Sequence, residues 1–209
     1  PLRASSRIED MNKFMPQISL KLTLFLFFSL LFGCQDQADK SELSQAEQQP
    51  TFKQLRAGVE GDPLDSVRRF NLGHPSGRLI KTVLLYSVKE HEVGLSGTKD
   101  TEFDDNEGVL FWYDALGVRR FWMPDTYFNL DLVFLDSNLR IIDIDKDLEA
   151  HPGREEPPAI KFSKSVRARH VLEIKTSSDF AKSLKVGDQL QVLSPLNLSQ
   201  IESKIHQTR

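Results

Sequence analysis

The sequence predicts a mainly β fold with short helices: a single domain built on an antiparallel, barrel-like sheet. Three observations carry that expectation. Short β-branched and aromatic runs recur between Arg78 and Leu193, each ended by Gly, Pro, Asp or Asn. Apolar residues at helical spacing are confined to short stretches. One Cys in 209 residues excludes a disulfide framework within the chain and a Cys-based zinc site, and the 39% apolar content can supply a core instead.

The elements follow in order. Leu79 to Tyr86 is β-branched and apolar and predicts the first strand. Ser87 followed three residues later by Glu90 is a capping-box pattern that opens a short helix through Glu92 toward Leu95, closed by Gly94 and Gly97. Val109 to Tyr113 predicts a strand, turned by Asp114 to Gly117. Arg120 to Met123 predicts another, stopped by Pro124. Leu130 to Leu135, the turn Asp136-Ser137-Asn138 and Arg140 to Ile144 make the clearest hairpin. Val166 to Lys175 reads as one long strand. Ser178 caps a short helix to Lys185, with Phe180 and Leu184 four residues apart on one face. Gln189 to Leu193 closes the domain, which is expected to span 78–194. Glycines and prolines at 58, 61, 63, 73, 75 and 77 predict irregular structure over 51–78, and 195–209 reads as a polar tail.

The first fifty residues read as an address and a tether. Residues 1–10 precede Met11 and are expected to be an upstream extension. Lys13 and Lys21 make a basic n-region ahead of the apolar run Leu22 to Gly33. Twelve helical residues span about 18 Å, short of a bilayer core of about 30 Å, so 11–33 predicts a signal peptide. Leu31-Phe32-Gly33-Cys34 resembles a bacterial lipobox, although Phe32 stands where a small or β-branched residue is usual. That resemblance implies lipidation at Cys34. With Gln35 after it, the expected location is the outer membrane, facing the periplasm. From Cys34 onward the chain has 23 basic and 28 acidic side chains, a net charge of −5, so lipid rather than charge would hold it at a membrane. Residues 34–77 are then tether and lead-in, and 35–50 hold a single large apolar residue, Leu43.

An ordered series of motifs runs through the domain: Glu92-Val93-Gly94-Leu95, Gly108-Val109-Leu110-Phe111, Phe121 to Thr126, Asn129-Leu130-Asp131, Phe134-Leu135-Asp136, His170-Val171-Leu172-Glu173 and Gly187-Asp188. The series resembles the bacterial and archaeal family called domain of unknown function 192, over about Leu79 to Leu193. Ser96, Pro124-Asp125 and Asn129 depart from its pattern. The resemblance implies a fold and a secreted or lipid-anchored setting, and no reaction.

Chemistry is sparse. A formal charge of −3 for the whole chain argues against a nucleic-acid partner. Gly94-Leu95-Ser96-Gly97 lacks the spacing of a nucleophile elbow. None of the five His pairs at metal-ligand spacing, and His170 reads as a cross-strand partner. Asp143, Asp145, Asp147 and Glu149 alternate on one strand face without the Gly and Glu of an EF-hand loop, so no metal and no cofactor are expected. Trp122, Met123, Thr126, Asp131 and Glu173 are the candidate ligand pocket: Trp122 offers a flat face and the acids offer acceptors. The competing and favoured expectation is that Trp122 and Met123 are core and that Asp131 accepts backbone N–H groups at a turn. Function is expected to be non-catalytic: an envelope lipoprotein module binding a small ligand or an envelope protein. The alternative is a hydrolase of cell-wall or exported material with Asp131 and Glu173 as an acid–base pair.

Overall fold

The structure is a computed structural model that describes residues 51–208; the leader, Cys34 and most of the tether lie outside the described residues. Among the described residues nine strands form: β1 (Arg69–Gly73), β2 (Leu79–Leu85), β3 (Glu107–Phe111), β4 (Gly117–Arg119), β5 (Leu130–Leu135), β6 (Ile141–Leu148), β7 (Val166–Ala168), β8 (His170–Lys175) and β9 (Gln191–Val192). Seven of them make one curled half-barrel sheet in the order β6-β5-β8-β3-β2-β1-β9, and β4 pairs with β7 separately. The pairing is antiparallel except between β2 and β3. Those two are joined by a crossover that contains a helix, as parallel neighbours require.

The helices are α1 (Phe52–Ala57), α2 (Asp65–Arg68), α3 (Val88–Val93), α4 (Asp179–Ser183) and α5 (Leu198–Gln207). Together with loops they cover both faces of the sheet. On one face Leu72, Ile80, Leu110, Val133 and Leu172 meet Phe180 of α4 and Ile201 and Ile205 of α5. On the other, Val83, Val109, Phe111, Leu132 and Val171 meet Phe52 and Leu55 of α1, with Phe103, Met123 and Phe128 from loops. Double-sided burial explains why β3, β5 and β8 are buried at every position and read as mostly apolar runs, interrupted by Glu107, Asp131, His170, Glu173 and Lys175.

Buried charge ties the N-terminal segment to this frame. Arg68, 3% exposed, donates from Nε and Nη2 to the Asp62 carboxylate at 2.8 and 2.9 Å and from Nη1 to the Leu84 carbonyl at 2.7 Å. It also pairs with Glu90 at 3.1 Å. Glu90 in turn accepts the Tyr86 and Ser87 N–H groups and completes the capping box of α3. Desolvation is the largest single effect on the Asp62 carboxyl, but the Arg68 hydrogen bond, the Leu64 N–H and the Arg68 and Arg69 charges together outweigh it and hold that carboxyl below its usual range.

Four sequence expectations are corrected. Residues 51–78 are not irregular, because Thr51 closes a capping box on α1 and Arg69–Gly73 is a paired sheet strand. Its glycines and prolines mark the turns around these elements rather than their absence. The 195–209 segment is not merely polar: Asn197 caps α5, whose Ile201 and Ile205 share one buried stripe. The 166–175 run breaks at Arg169 and serves two sheets. Arg120–Met123 is not a sheet strand, since only Trp122 makes a bridge there, to Phe162.

Replacing Ile205, 1% exposed, with Ala is expected to cost about 2–5 kcal/mol in urea denaturation, because the sheet face beneath cannot close the cavity. An unchanged midpoint would show that α5 is not part of the core.

Candidate functional site

The site is built where α3, the end of β3 and the 120–126 segment converge. Val109, Leu110 and Phe111 carry β3 through the sheet to Tyr113 at its exit. The α3 helix ends at Gly94, at φ 49°; a Cβ there would stand 3.1 Å from the Phe111 ring, so only glycine lets the helix end lie against it. That contact sets His91 and Glu92 beside the aromatic residues. His91 donates from Nε2 to the Leu85 carbonyl at 3.0 Å and lies 4.5 Å from the Tyr113 ring. Burial lowers its pKa.

The opposite wall is Phe121-Trp122-Met123, held in extended form by the 151–163 segment. Phe121 N–H donates to Ser163 Oγ at 2.9 Å, Ser163 N–H to the Phe121 carbonyl at 2.9 Å, and Met123 N–H to the Lys161 carbonyl at 3.2 Å. Alternation then sends Met123 into the core at 1% exposed and Trp122 outward at 54%. Trp122 stacks on Phe162, centroids 6.3 Å apart and planes 20° apart, and Arg120 lies 4.2 Å over the Phe162 ring. The expectation that Trp122 is core is therefore corrected, while Met123 is core.

Glu173 closes the bottom. On β8 it stands between Val109 of β3 and Leu132 of β5 and points to the same face as Val171. Its side chain opens into a narrow recess walled by Phe111, Phe121, Met123, Thr126 and Leu130. The residue is 5% exposed, and its carboxyl has no hydrogen-bond or ion-pair partner among the described residues. Burial alone pushes its pKa up to about 8. A wider outer groove of about 480 Å³, along His91, Glu92, Tyr113, Arg120 and Trp122, shares His91, Glu92, Phe121 and Trp122 with the recess. Burial likewise pushes the Tyr113 phenol up to about 12.

Four of the five residues singled out in the sequence, Trp122, Met123, Thr126 and Glu173, therefore line one recess. Asp131 does not join them. It points to the Val133 face of β5 and accepts from the Asp147 N–H at 2.9 Å and the Thr176 hydroxyl at 2.7 Å. The sheet lies between Asp131 and Glu173, so paired-carboxylate hydrolysis has no geometry here. His91, Tyr113 and Phe162 were missed. The first two had a signal in their aromatic neighbours; Phe162 had none, because it arrives from a loop.

The other candidates are structural. Ser96 Oγ accepts from Arg154 at 3.0 Å. Asp143 pairs with Lys164, Asp145 accepts the Lys164 N–H, Asp147 accepts from Asn129, and Glu149 faces Lys161. His170 is a buried cross-strand residue stacked on Trp112 at 4.1 Å, its Nδ1 accepting the Tyr113 N–H at 3.3 Å. Burial pushes its pKa down to about 3.

Two pH effects follow. Glu173 binds its proton more tightly folded than unfolded, so its contribution to stability is complete below about pH 4.5 and is lost as pH rises to about 8. The full loss is on the order of 5 kcal/mol. Glu173→Gln is expected to flatten that alkaline decline in urea melts; a variant with the wild-type pH profile would place the carboxyl in water. His170 acts in the opposite sense. It resists protonation when folded, so stability falls as pH drops from about 6.5 toward 3, and His170→Phe should reduce this acid loss.

The model of a family described as "Uncharacterized ACR", domain of unknown function 192, matches residues 75–192. No curated protein matches the chain. Among solved structures, a proposed transcription regulator from Sinorhizobium meliloti 1021 is 28% identical, covering 59% of this chain and 92% of its own, with a TM-score of 0.47. A protein of unknown function from Novosphingobium aromaticivorans DSM 12444 is 25% identical, covering 59% and 83%, also with a TM-score of 0.47. The family match takes in the strands from β2 to β9 and the walls and floor of the Glu173 recess, and the chain belongs to the domain of unknown function 192 family.

Proposed function

We propose that this chain is a lipid-anchored envelope protein whose β domain is a non-catalytic binding module, with the Glu173 recess as its ligand site. One observation carries the site: a buried carboxyl without a partner, at the end of a passage open to solvent. A buried acid in this state is costly when charged and unsatisfied when neutral. A ligand that brings an ammonium or other N–H donor to it removes both costs. The aromatic ledge of Trp122 and Phe162 at the outer groove suits a flat or apolar body attached to that donor. The inner recess takes a head group rather than a ring, so the ring stays outside.

The anchor rests on the lipobox at Leu31–Cys34, and Gln35 favours the outer membrane. Among the described residues no helix is long and apolar enough to cross a membrane. An envelope location makes amino-bearing cell-wall fragments or the basic side chains of an envelope protein the partners that fit.

Phenethylamine combines the two features and serves as a probe. It should raise the melting temperature of the wild-type chain. Its affinity should climb about tenfold per pH unit toward pH 8, because binding the cation requires Glu173 to release its proton. Glu173→Gln should abolish that pH dependence. Equal binding by both proteins at every pH would remove Glu173 from the site. For the anchor, Cys34→Ala should release the protein from washed membranes; continued sedimentation after a high-salt wash would contradict lipidation.

A further inference from the structure

A second concavity, sharing no lining residue with the Glu173 recess, lies where α1, α2 and the 193–196 segment border β1 and β2. It encloses about 480 Å³, within the range of small-molecule sites of about 300–1,000 Å³. Val83 and Leu193 give it an apolar floor on the face of the sheet that carries Arg69 and Lys81, with Phe70 and Leu196 at its edge. Its rim carries three cations, Arg56, Arg69 and Lys81, against one carboxylate, Glu107.

That carboxylate is already committed. Glu107 accepts from Arg56 at 2.8 Å and from the Asp104 N–H at 3.0 Å. Arg69 is held in place by Asp65 at 2.7 Å and by the Leu55 carbonyl at 3.2 Å. Lys81 has no ion-pair or hydrogen-bond partner for its ammonium among the described residues. With Arg56 set against Glu107 and Arg69 against Asp65, the Lys81 ammonium gives the rim its net positive charge above the apolar floor, on a chain whose overall charge is negative.

We propose that this groove binds a single-chain amphiphile with an anionic head: the head near Lys81, the chain along Val83 and Leu193. A simple inorganic anion would leave the apolar floor exposed to water, and an uncharged apolar ligand would leave the cations unused. The reading is independent of the Glu173 site, which calls for a ligand of opposite charge.

Backbone amide shifts of Asn71, Thr82 and Ser194 in the full-length chain locate binding to the groove, whatever the apolar leader does. Decanoate, kept monomeric, is expected to shift these amides to saturation. Lys81→Glu should weaken that binding at least about tenfold, as loss and reversal of one partly shielded charge would, and Lys81→Arg should preserve it. Lys81 is exposed and unpaired, so neither variant threatens the fold. Absence of shifts would overturn the proposal. So would equal shifts with decylammonium, which would leave only apolar binding, or with acetate, which would leave only anion binding. Shifts produced by phosphatidylglycerol vesicles and not by monomeric decanoate would also overturn it, by making the face a membrane contact.

Discussion

The constraint on which the rest of this structure depends is that its sheet is covered on both faces. A half-covered sheet can place charged side chains on its wet side at no cost. Here β3, β5 and β8, the central strands, have no wet side, and every residue on them must be apolar, paired or exceptional. Most polar residues on these strands are paired. Asp131 is satisfied by a backbone N–H and a hydroxyl, Lys175 by Asp100 and its carbonyl, and Glu107 by Arg56. There are two exceptions, both on β8: His170, whose buried Nε2 has no partner, and Glu173, as buried a residue as the others, whose carboxyl has no partner among the described residues.

Glu173 is placed with some precision by its surroundings. Gly94 lets the end of α3 approach Phe111, and α3 is itself fixed at its start by Glu90, which is shared between the capping box and Arg68. The 120–126 wall is fixed by reciprocal backbone and hydroxyl bonds to Ser163 and Lys161. A passage with rigid walls that ends on an unpartnered acid is preorganised for a donor. The cost of holding the acid there is borne by the folded frame before any ligand arrives. The same economy appears at Arg68, whose burial is compensated by two carboxylates and a carbonyl rather than by solvent.

Much of the sheet was legible in the sequence because two-sided burial writes itself as runs rich in apolar residues, as in Leu130–Leu135 and Leu79–Leu85. The caps at Ser87 and Ser178 were legible because side-chain capping is local. What failed was whatever depended on distant partners. Arg69–Gly73 has a weak strand signal of its own and is a strand because β2 and β9 flank it. The α5 stripe is only two large residues deep, Ile201 and Ile205, in an otherwise polar segment. Trp122 and Met123 are adjacent and similar in kind, and which of them is buried is decided by the loop segment carrying Phe162, which arrives from forty residues away. Asp131 and Glu173 were both visible as acids in apolar strands. That they lie on opposite faces follows from register, which neither residue encodes alone.

The account stands on Glu173 being a buried, partnerless acid in the free protein. A carbon-13 NMR titration of its carboxyl carbon, assigned by loss of the signal in Glu173→Gln, measures this directly. The structure predicts a midpoint near 8, with the proton retained through neutral pH. A midpoint near 4.5, the ordinary value for a glutamate, would show that the carboxyl is solvated or paired and would contradict the ligand site built on it.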